Sequence, residues 1–189
     1  ACRNVVASGA TPLGATNCLN FGNPERAEIM GQLVMAIRGI GEACRALGVP
    51  ITGGNVSLYN ETDGAAIYPT PVLGVVGLLE DASLALTAWF KEEGDAVFLL
   101  GETREDIGGS EFLKVLHGRV AGRPPRLDLS AEKRLYALMA EAAAAGILES
   151  AHDLSDGGLA VALAECCFAG EEPGLGARVE LPASALSDH

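Results

Sequence analysis

The sequence has 189 residues, of which 49% are hydrophobic, and it carries a formal net charge of −12 at pH 7. This length and composition suffice for a buried core in one large domain or two small ones. The acidic balance argues against binding to nucleic acid or to a membrane surface, because both need basic patches. A phosphorylated ligand remains compatible, since backbone N–H groups and metal ions can hold phosphate without basic side chains.

The cysteines and the apolar segments predict a cytoplasmic protein. The five cysteines include no CxxC pair, which is typical of reduced, buried thiols. No apolar run reaches the ~18 residues of a membrane span, and the opening residues do not resemble a signal peptide. The chain starts within a helical pattern and stops without a closing element, so we expect a part of a longer protein.

The first predicted elements are a helix, a strand and a second helix. Residues 1–8 are typical of the last turns of a helix, and residues 14–21 alternate as in a strand. A long helix is predicted from Asn23, its expected N-cap, to the stop signal at Gly48. Its apolar stripe consists of Ile29, Leu33, Ile37, Ile40 and Cys44.

Two further strands flank a polar segment that contains glycine. Residues 49–52 predict a short buried strand, and residues 53–60, GGNVSLYN, are expected to follow it as a loop. Residues 71–80 are apolar on both faces, which predicts a central strand.

A domain boundary is predicted near residue 85, where charged residues mix with aromatic ones, so the two domains would cover 1–85 and 86–189. The alternation of strands and helices indicates an α/β or α+β fold. The second domain is expected to contain a buried strand at 96–100, a helix capped by Ser110, a helix from Ser130 to Gly146, a buried helix at 159–170 introduced by Asp156, and a strand at 177–181.

Three polar stretches lie where a strand hands over to a loop or a helix, the position at which α/β proteins bind ligands. They are ATNCLNFGNPE (15–25), TGGNVSLYN (52–60) and AHDLSDGGL (151–159). In the second stretch, Gly53 and Gly54 would let backbone N–H groups approach a phosphate, while Asn55 offers an oxygen to Mg²⁺. Ser57 offers a hydroxyl. The alternative is a turn in which Asn and Gly merely tolerate positive φ.

The other two stretches allow both structural and functional interpretations. Asp156 fits a helix cap and Asp153 fits a metal ligand, whereas the solitary His152 fits a structural histidine better than a catalytic one. Cys18 has no histidine near it in sequence, which argues against a nucleophile. The sequence contains neither a zinc-type histidine spacing nor a Walker A loop.

Five segments together are similar to the synthetase subunit of the phosphoribosylformylglycinamidine synthase family, within the aminoimidazole ribonucleotide synthetase (PurM-like) superfamily. They are RNVVASGATPLGATNCLNFGNPE, GGNVSLYNET, IYPTPVLGVVGLLED, GGSEF and SAHDLSDGGLAVALAE, in the family's order. The resemblance implies the later part of an N-terminal-type ATP-binding domain followed by a truncated C-terminal-type domain. It also implies an ATP-dependent ligase of purine biosynthesis that uses Mg²⁺.

The same resemblance assigns roles to single residues. It implies nucleotide contacts at Asn17, Gly54 and Ser155, metal ligands at Asn55 and Asp153, and a substrate contact at Ser57. The family usually has Asp at the position of Asn17, so a neutral amide here replaces a carboxylate. A looser match suggests Asn4 as a further metal ligand.

The implied reaction converts formylglycinamide ribonucleotide and glutamine-derived ammonia to formylglycinamidine ribonucleotide. The implied partners are a glutaminase subunit and a small accessory subunit. Because the family's catalytic histidine lies in another half of the enzyme, we expect this chain alone to be inactive. Two alternatives stay open: a half that only holds a structural nucleotide, and another ATP-using superfamily member. An N-terminal-type domain without its opening strands would leave a sheet edge open, which favours self-association.

Overall fold

The computed structural model describes residues 1–101, 106–168 and 174–180. The chain forms two compact units. The first contains Ala1–Val6 and Ala10–Ala82, and the second contains Ala7–Gly9 and Ser83–His189. The first unit combines helices with strands, and the described part of the second unit contains helices, so the predicted mixed α/β class is confirmed for the chain.

The first part of the chain alternates between helices and strands, as its sequence pattern predicted. The elements are α1 (Cys2–Ala7), β1 (Thr11–Asn20), α2 (Ala27–Leu47), β2 (Ile51–Ser57), β3 (Glu61–Thr62), β4 (Ala65–Ala66) and β5 (Thr70–Leu78). Helix α2 begins at Ala27 and not at Asn23, because Asn23 Oδ1 accepts a hydrogen bond from Glu25 N in a turn before the helix. It ends at the left-handed Gly48, as predicted.

A three-stranded sheet has the order β2–β1–β5. Strand β1 is parallel to β2 and antiparallel to β5, so β1 is the central strand and the central position predicted for 71–80 is wrong. The continuous apolar run of β5 does not reflect burial on both faces, since Val72 and Val76 are exposed on an open face of the sheet. The predicted burial of 49–52 is confirmed for Val49, which is 3% exposed, but it is wrong for Ile51 and Thr52, which are exposed on an edge strand. The predicted self-association through a sheet edge stays a prediction.

The opposite face of the sheet packs against α2. Leu19 on β1, Phe21 just after it and Ile29 on α2 are each at most 5% exposed. Leu33 and Ile40 pack beside them, but Ile37 of the predicted apolar stripe is largely exposed. Burial of these side chains stabilises the first unit and fixes which residues of β1 point away from the helix.

The second unit contains α3 (Glu111–His117), α4 (Leu129–Ala144) and α5 (Gly158–Cys166). Ser110 caps α3 through Leu113 N, as predicted. The cap of α4 is Asp128 and not Ser130, because the Asp128 carboxylate accepts hydrogen bonds from Ser130 N and Ala131 N. Gly146, just beyond α4, has the left-handed conformation expected of a stop signal.

Three further predictions for the second unit are wrong. Residues 96–100 form no strand and are exposed, and residues 177–180 form no strand either, while residue 181 lies outside the described residues. Asp156 does not cap α5. The N-cap is Gly157, whose φ of 83° and close approach to Val161 leave no room for a side chain.

Candidate functional site

The segment GGNVS belongs to strand β2 and does not form the loop expected from its sequence. The parallel register pairs Asn17 with Gly54 and Cys18 with Asn55. The first two polar stretches of the sequence therefore lie side by side in the sheet. Four residues with predicted roles, Asn17, Gly54, Asn55 and Ser57, are in this way brought together on adjacent strands.

Gly54 is needed where β1 and β2 approach each other closely. A Cβ atom at this position would overlap both the side-chain oxygen and the backbone oxygen of Asn17, and would lie 3.0 Å from Asn17 Cγ. The neighbouring Gly53 has no atom within 4 Å of the equivalent position. Packing against Asn17 thus accounts for Gly54 without a ligand, and its predicted nucleotide contact stays a prediction.

The predicted site residues are divided between the two faces of the sheet. Leu19 packs against α2. Because side chains alternate along a strand, Asn17, two residues earlier, points to the same helix-covered face. A side chain at the paired position Gly54 would point to this face as well. Asn55 Nδ2 lies 3.7 Å from Cys18 Sγ, which places both side chains on the opposite, open face. Asn17 and Asn55 therefore cannot present their side chains to one ligand from the same side.

The open face carries a shallow pocket of about 410 Å³, whose lining combines polar and apolar groups. The amide of Asn20 extends the polar surface, since Asn20 Nδ2 lies 3.5 Å from Cys18 Sγ and donates to Thr70 O at 3.2 Å. Thr16 Oγ1 donates to Gly53 O at 3.0 Å. The pocket is lined by Thr16, Asn17, Cys18, Gly54, Asn55, Val72 and Gly74.

Ser57 and Asn60 form a local hydrogen-bonded turn at the end of β2. The Ser57 hydroxyl donates to Asn60 Oδ1 at 3.2 Å, and Asn60 Nδ2 donates to Ser57 O at 2.9 Å and to Phe21 O at 3.1 Å. Tyr59 between them adopts a left-handed φ of 60°, an uncommon conformation for a non-glycine residue. The substrate contact predicted for Ser57 therefore competes with an existing structural role.

The third polar stretch lies in the second unit and is described on its own. Asp153 has a side chain that is 13% exposed, while Ser155 and Asp156 are exposed. His152 Nδ1 lies 2.7 Å from Asp153 O, and its Nε2 lies 3.0 Å from Glu165 Oε2 on α5. The structural interpretation of His152 agrees with these two contacts. The metal role predicted for Asp153 and the nucleotide role of Ser155 stay predictions.

Of the five cysteines, Cys166 is buried and the other four are half-buried, so the predicted burial of the thiols is confirmed for Cys166 only. Cys2 and Cys166 are poor nucleophiles at neutral pH. Burial raises the pKa of the Cys166 thiol, and the neighbouring Cys167 and Glu165 raise it further. Burial also raises the pKa of Cys2. All five cysteines are free thiols, and Cys18 contacts only amide and backbone groups in the described hydrogen bonds. These contacts supply no base that would activate Cys18.

Metal binding here would depend on few protein ligands. Among the described residues, no group of three or more His, Cys, Asp or Glu side chains could enclose a metal ion. Mg²⁺ commonly takes one or two protein ligands and completes its shell with phosphates and water. Each considered within its own unit, the oxygen atoms of Asn55 and of Asp153 suit a nucleotide-bound Mg²⁺, whereas the described residues provide no closed structural metal centre.

Sequence reasoning missed the contacts that support the site. Asn60 and Glu165 received no role, yet Asn60 holds the turn at Ser57 and Glu165 holds His152. The signal for Glu165 was weak, since it lies 13 positions after His152 in an otherwise apolar helix.

In the residues that the structure describes, no helix is long and apolar enough to cross a membrane.

Comparison with known proteins identifies the family. The family model "AIR synthase related protein, N-terminal domain" matches residues 1–79, and the model of the C-terminal domain matches residues 92–189. The chain belongs to the AIR synthase related family. The family assignment confirms the predicted PurM-like fold class, whereas the predicted limits 1–85 and 86–189 stay a prediction.

The AIR synthase related chain is similar to subunit PurL of phosphoribosylformylglycinamidine synthase from two bacteria. It is 53% identical to the protein of Anaeromyxobacter sp. over 98% of this chain and 25% of the relative. It is 54% identical to that of Moorella thermoacetica over 100% of this chain and 25% of the relative. A solved structure of T. maritima PurL complexed with ATP is 41% identical over 40% of this chain and 13% of that chain, with a TM-score of 0.37. The chain thus spans about a quarter of the length of these curated relatives.

Proposed function

We propose that this chain is part of the synthetase subunit of a phosphoribosylformylglycinamidine synthase, an ATP-dependent carbon–nitrogen ligase. The observation that carries the proposal is the identity of 53% to a PurL subunit over 98% of this chain. The matches to the N-terminal and C-terminal family models in that order support it. The substrates of the complete protein would be formylglycinamide ribonucleotide, ATP and ammonia derived from glutamine.

The proposed reaction replaces an amide oxygen with nitrogen. The γ-phosphoryl group of ATP is transferred to the amide oxygen of the substrate, ADP leaves, and ammonia then displaces the oxygen as inorganic phosphate. Bound Mg²⁺ would neutralise phosphate charge. The residues of this chain would bind and orient the nucleotide, because the described hydrogen bonds and charges reveal no general base among them.

The geometry favours Asn55 over Asn17 as the residue whose side chain reaches a ligand. Asn55 faces the open pocket, and its Oδ1 accepts no hydrogen bond from the described residues. Asn17 instead points to the helix-covered face, below Gly54. We propose that Asn55 and Asp153 are metal ligands, that Gly54 and Asn17 line the nucleotide site with their backbone atoms, and that Ser57 and Ser155 contact substrate and nucleotide.

The test uses the complete protein with formylglycinamide ribonucleotide, ATP, Mg²⁺ and ammonium, and measures formation of the amidine and of ADP. Asn55→Ala and Asp153→Ala are each expected to weaken Mg²⁺–nucleotide binding by about 10- to 100-fold, because each removes one oxygen ligand of the ion and a water molecule replaces it only in part. Asp156→Ala is the matched control, since Asp156 lies in the same loop, is exposed and caps no helix.

Each outcome decides between the proposed function and its alternatives. Absence of amidine formation by the complete wild-type protein would contradict the ligase activity. Normal turnover by both variants would contradict the metal-ligand roles. If Asp153→Ala loses nucleotide binding but keeps wild-type turnover, the nucleotide site at Asp153 is auxiliary and not catalytic. The 189-residue chain alone is expected to form no amidine, because it spans only about a quarter of its relatives.

We also propose a glutaminase subunit and a small accessory subunit as partners, and the cytoplasm as the location. The relatives are themselves named as a subunit, which supports an assembly. Five free thiols support a reducing compartment. Co-purification of the complete protein with the two proposed subunits, followed by glutamine-dependent amidine formation, tests the partners. A complete protein that uses ammonium but never glutamine, with both subunits present, would contradict them.

A further inference from the structure

We propose that His152 is a positioning residue, which fixes the carboxylate of Asp153 by linking the 151–158 loop to helix α5 through Glu165. The inference rests on the metal role of Asp153 proposed above. It adds to that role a pair of residues, His152 and Glu165, that never touch the ligand themselves.

Both ring nitrogens of His152 face atoms that can only accept hydrogen bonds. Nδ1 lies 2.7 Å from Asp153 O, and Nε2 lies 3.0 Å from Glu165 Oε2. The imidazole therefore bridges the backbone of the loop and a side chain of helix α5 through its two nitrogens. The His152 side chain is 17% exposed and that of Glu165 is 51% exposed, so the contact is shielded from water on the imidazole side only.

The loop is attached at its start and closed by a turn near its end, and His152 supplies a contact with helix α5. Ala151 N donates to Thr87 O at 3.0 Å at the start of the loop, and Gly158 N donates to Ser155 O at 3.0 Å at the start of α5. In the described hydrogen bonds, the backbone carbonyl of Asp153 is bonded to the ring of His152. The imidazole thus transmits the position of Glu165 on a helix to the backbone of Asp153.

The carboxylate of Asp153 depends on this backbone attachment for its direction. His152 Nδ1 lies 3.8 Å from Asp153 Oδ1, too far for a hydrogen bond, and none of the described residues donates a hydrogen bond to this carboxylate. Its oxygens are therefore available to a cation, and they are oriented by the loop and not by bonds of their own. Residues that orient a metal ligand in this way commonly change metal affinity or activity by about 10- to 100-fold when they are removed.

The experiment compares His152→Phe and Glu165→Ala in the complete protein. It measures Mg²⁺-dependent nucleotide binding by calorimetry and amide hydrogen exchange of residues 151–158 without metal or nucleotide. Both variants are expected to raise the Mg²⁺ concentration for half-maximal binding by about 10- to 100-fold and to accelerate exchange in this loop. Glu165→Gln retains an oxygen acceptor for Nε2 and is expected to restore most of the affinity. Glu149→Ala is the matched control, because Glu149 is exposed and its substitution removes the same charge as Glu165→Ala.

The outcomes separate this inference from the proposed function. If Asp153→Ala abolishes Mg²⁺-dependent binding while Glu165→Ala and His152→Phe bind like wild type, the positioning role is wrong and the metal role stands. If Asp153→Ala itself has no effect, the metal role is wrong. Faster exchange of residues 151–158 in Glu165→Ala would then show that Glu165 stabilises the loop without any role in metal binding. Should His152→Phe fail to fold, Glu165→Ala decides alone: equal affinity and equal exchange overturn the inference.

Discussion

Replacing Gly54 with Ala is expected to lower the free energy of unfolding by about 1–3 kcal/mol, the usual cost of overpacking a well-packed site. The new Cβ would overlap Asn17 Oδ1 and Asn17 O. The side-chain oxygen can rotate away, but the backbone oxygen belongs to the parallel ladder between β1 and β2. The two strands must therefore separate locally. A gain of about 0.5–1 kcal/mol from replacing a strand glycine offsets part of this cost.

Gly53→Ala provides the matched control for this prediction. Gly53 lies in the same strand, but nothing lies within 4 Å of its would-be Cβ, so only the entropic gain remains. Urea denaturation of both variants, followed by far-UV circular dichroism, should show Gly54→Ala less stable than wild type and Gly53→Ala equal to it or more stable. The slope with denaturant should stay unchanged if only the folded state is affected.

Equal stability of Gly54→Ala and Gly53→Ala would refute the packing argument. A nucleotide-binding defect without loss of stability would then show that Gly54 is required by the ligand and not by Asn17. The double variant Asn17→Ala with Gly54→Ala should recover part of the lost stability, because it removes one of the two overlaps and leaves the backbone overlap.

Two further predictions concern a helix cap and the buried thiols. Asp128→Ala removes the hydrogen bonds to Ser130 N and Ala131 N and should cost about 1 kcal/mol in urea denaturation, whereas Ser130→Ala should be nearly neutral; the reverse ranking would contradict the assigned cap. Burial raises the pKa of Cys2 and Cys166 above the ordinary value of 9.0, so the folded protein retains these protons longer than the unfolded chain does. The free energy of unfolding should then be unaffected by these groups below pH 9 and fall as the pH rises from 9 towards the raised values. Alanine at both positions should flatten that decline, and an unchanged slope in the double variant would contradict the assignment.

The sequence was informative where a strong local pattern agreed with tertiary packing. Helix α2 was predicted to within a turn at its start and ended at Gly48 as expected, because its apolar stripe is long and its stop signal is strong. The Ser110 cap of α3 was also found. In α4, the two cap-type residues Asp128 and Ser130 lie two positions apart, and only the geometry of the helix start distinguishes them.

The segment 53–57 shows where local reasoning failed. Two glycines and an asparagine have low strand propensity, so a loop was the natural prediction. Pairing with β1 overrides that preference, since the ladder along Thr16 to Asn20 satisfies the backbone groups of the segment that face β1. Residues 96–100 show the converse, because an apolar run with high strand propensity remained exposed and formed no strand.

The division of the candidate site between two faces could not be read from the sequence. It depends on the register of β1 against β2, which shifts between Ala15 and Thr16, and a shift of one residue exchanges the two faces. No local signal marks that irregularity. The sequence therefore predicted which residues lie close together but not which of their side chains point to the same face of the sheet.

The two glycine-containing motifs follow the same physical logic, in which glycine serves packing and a nearby short polar residue retains free oxygen atoms. Gly54 lets β2 approach Asn17, and the adjacent Asn55 points the other way, into the open pocket. Gly157 likewise lets the chain turn against Val161, while Asp153 keeps a carboxylate to which the described residues donate no hydrogen bond. Substitutions of the glycines should therefore act mainly on stability, and substitutions of Asn55 and Asp153 mainly on binding. A glycine variant that loses binding at full stability would show that this separation of roles does not hold.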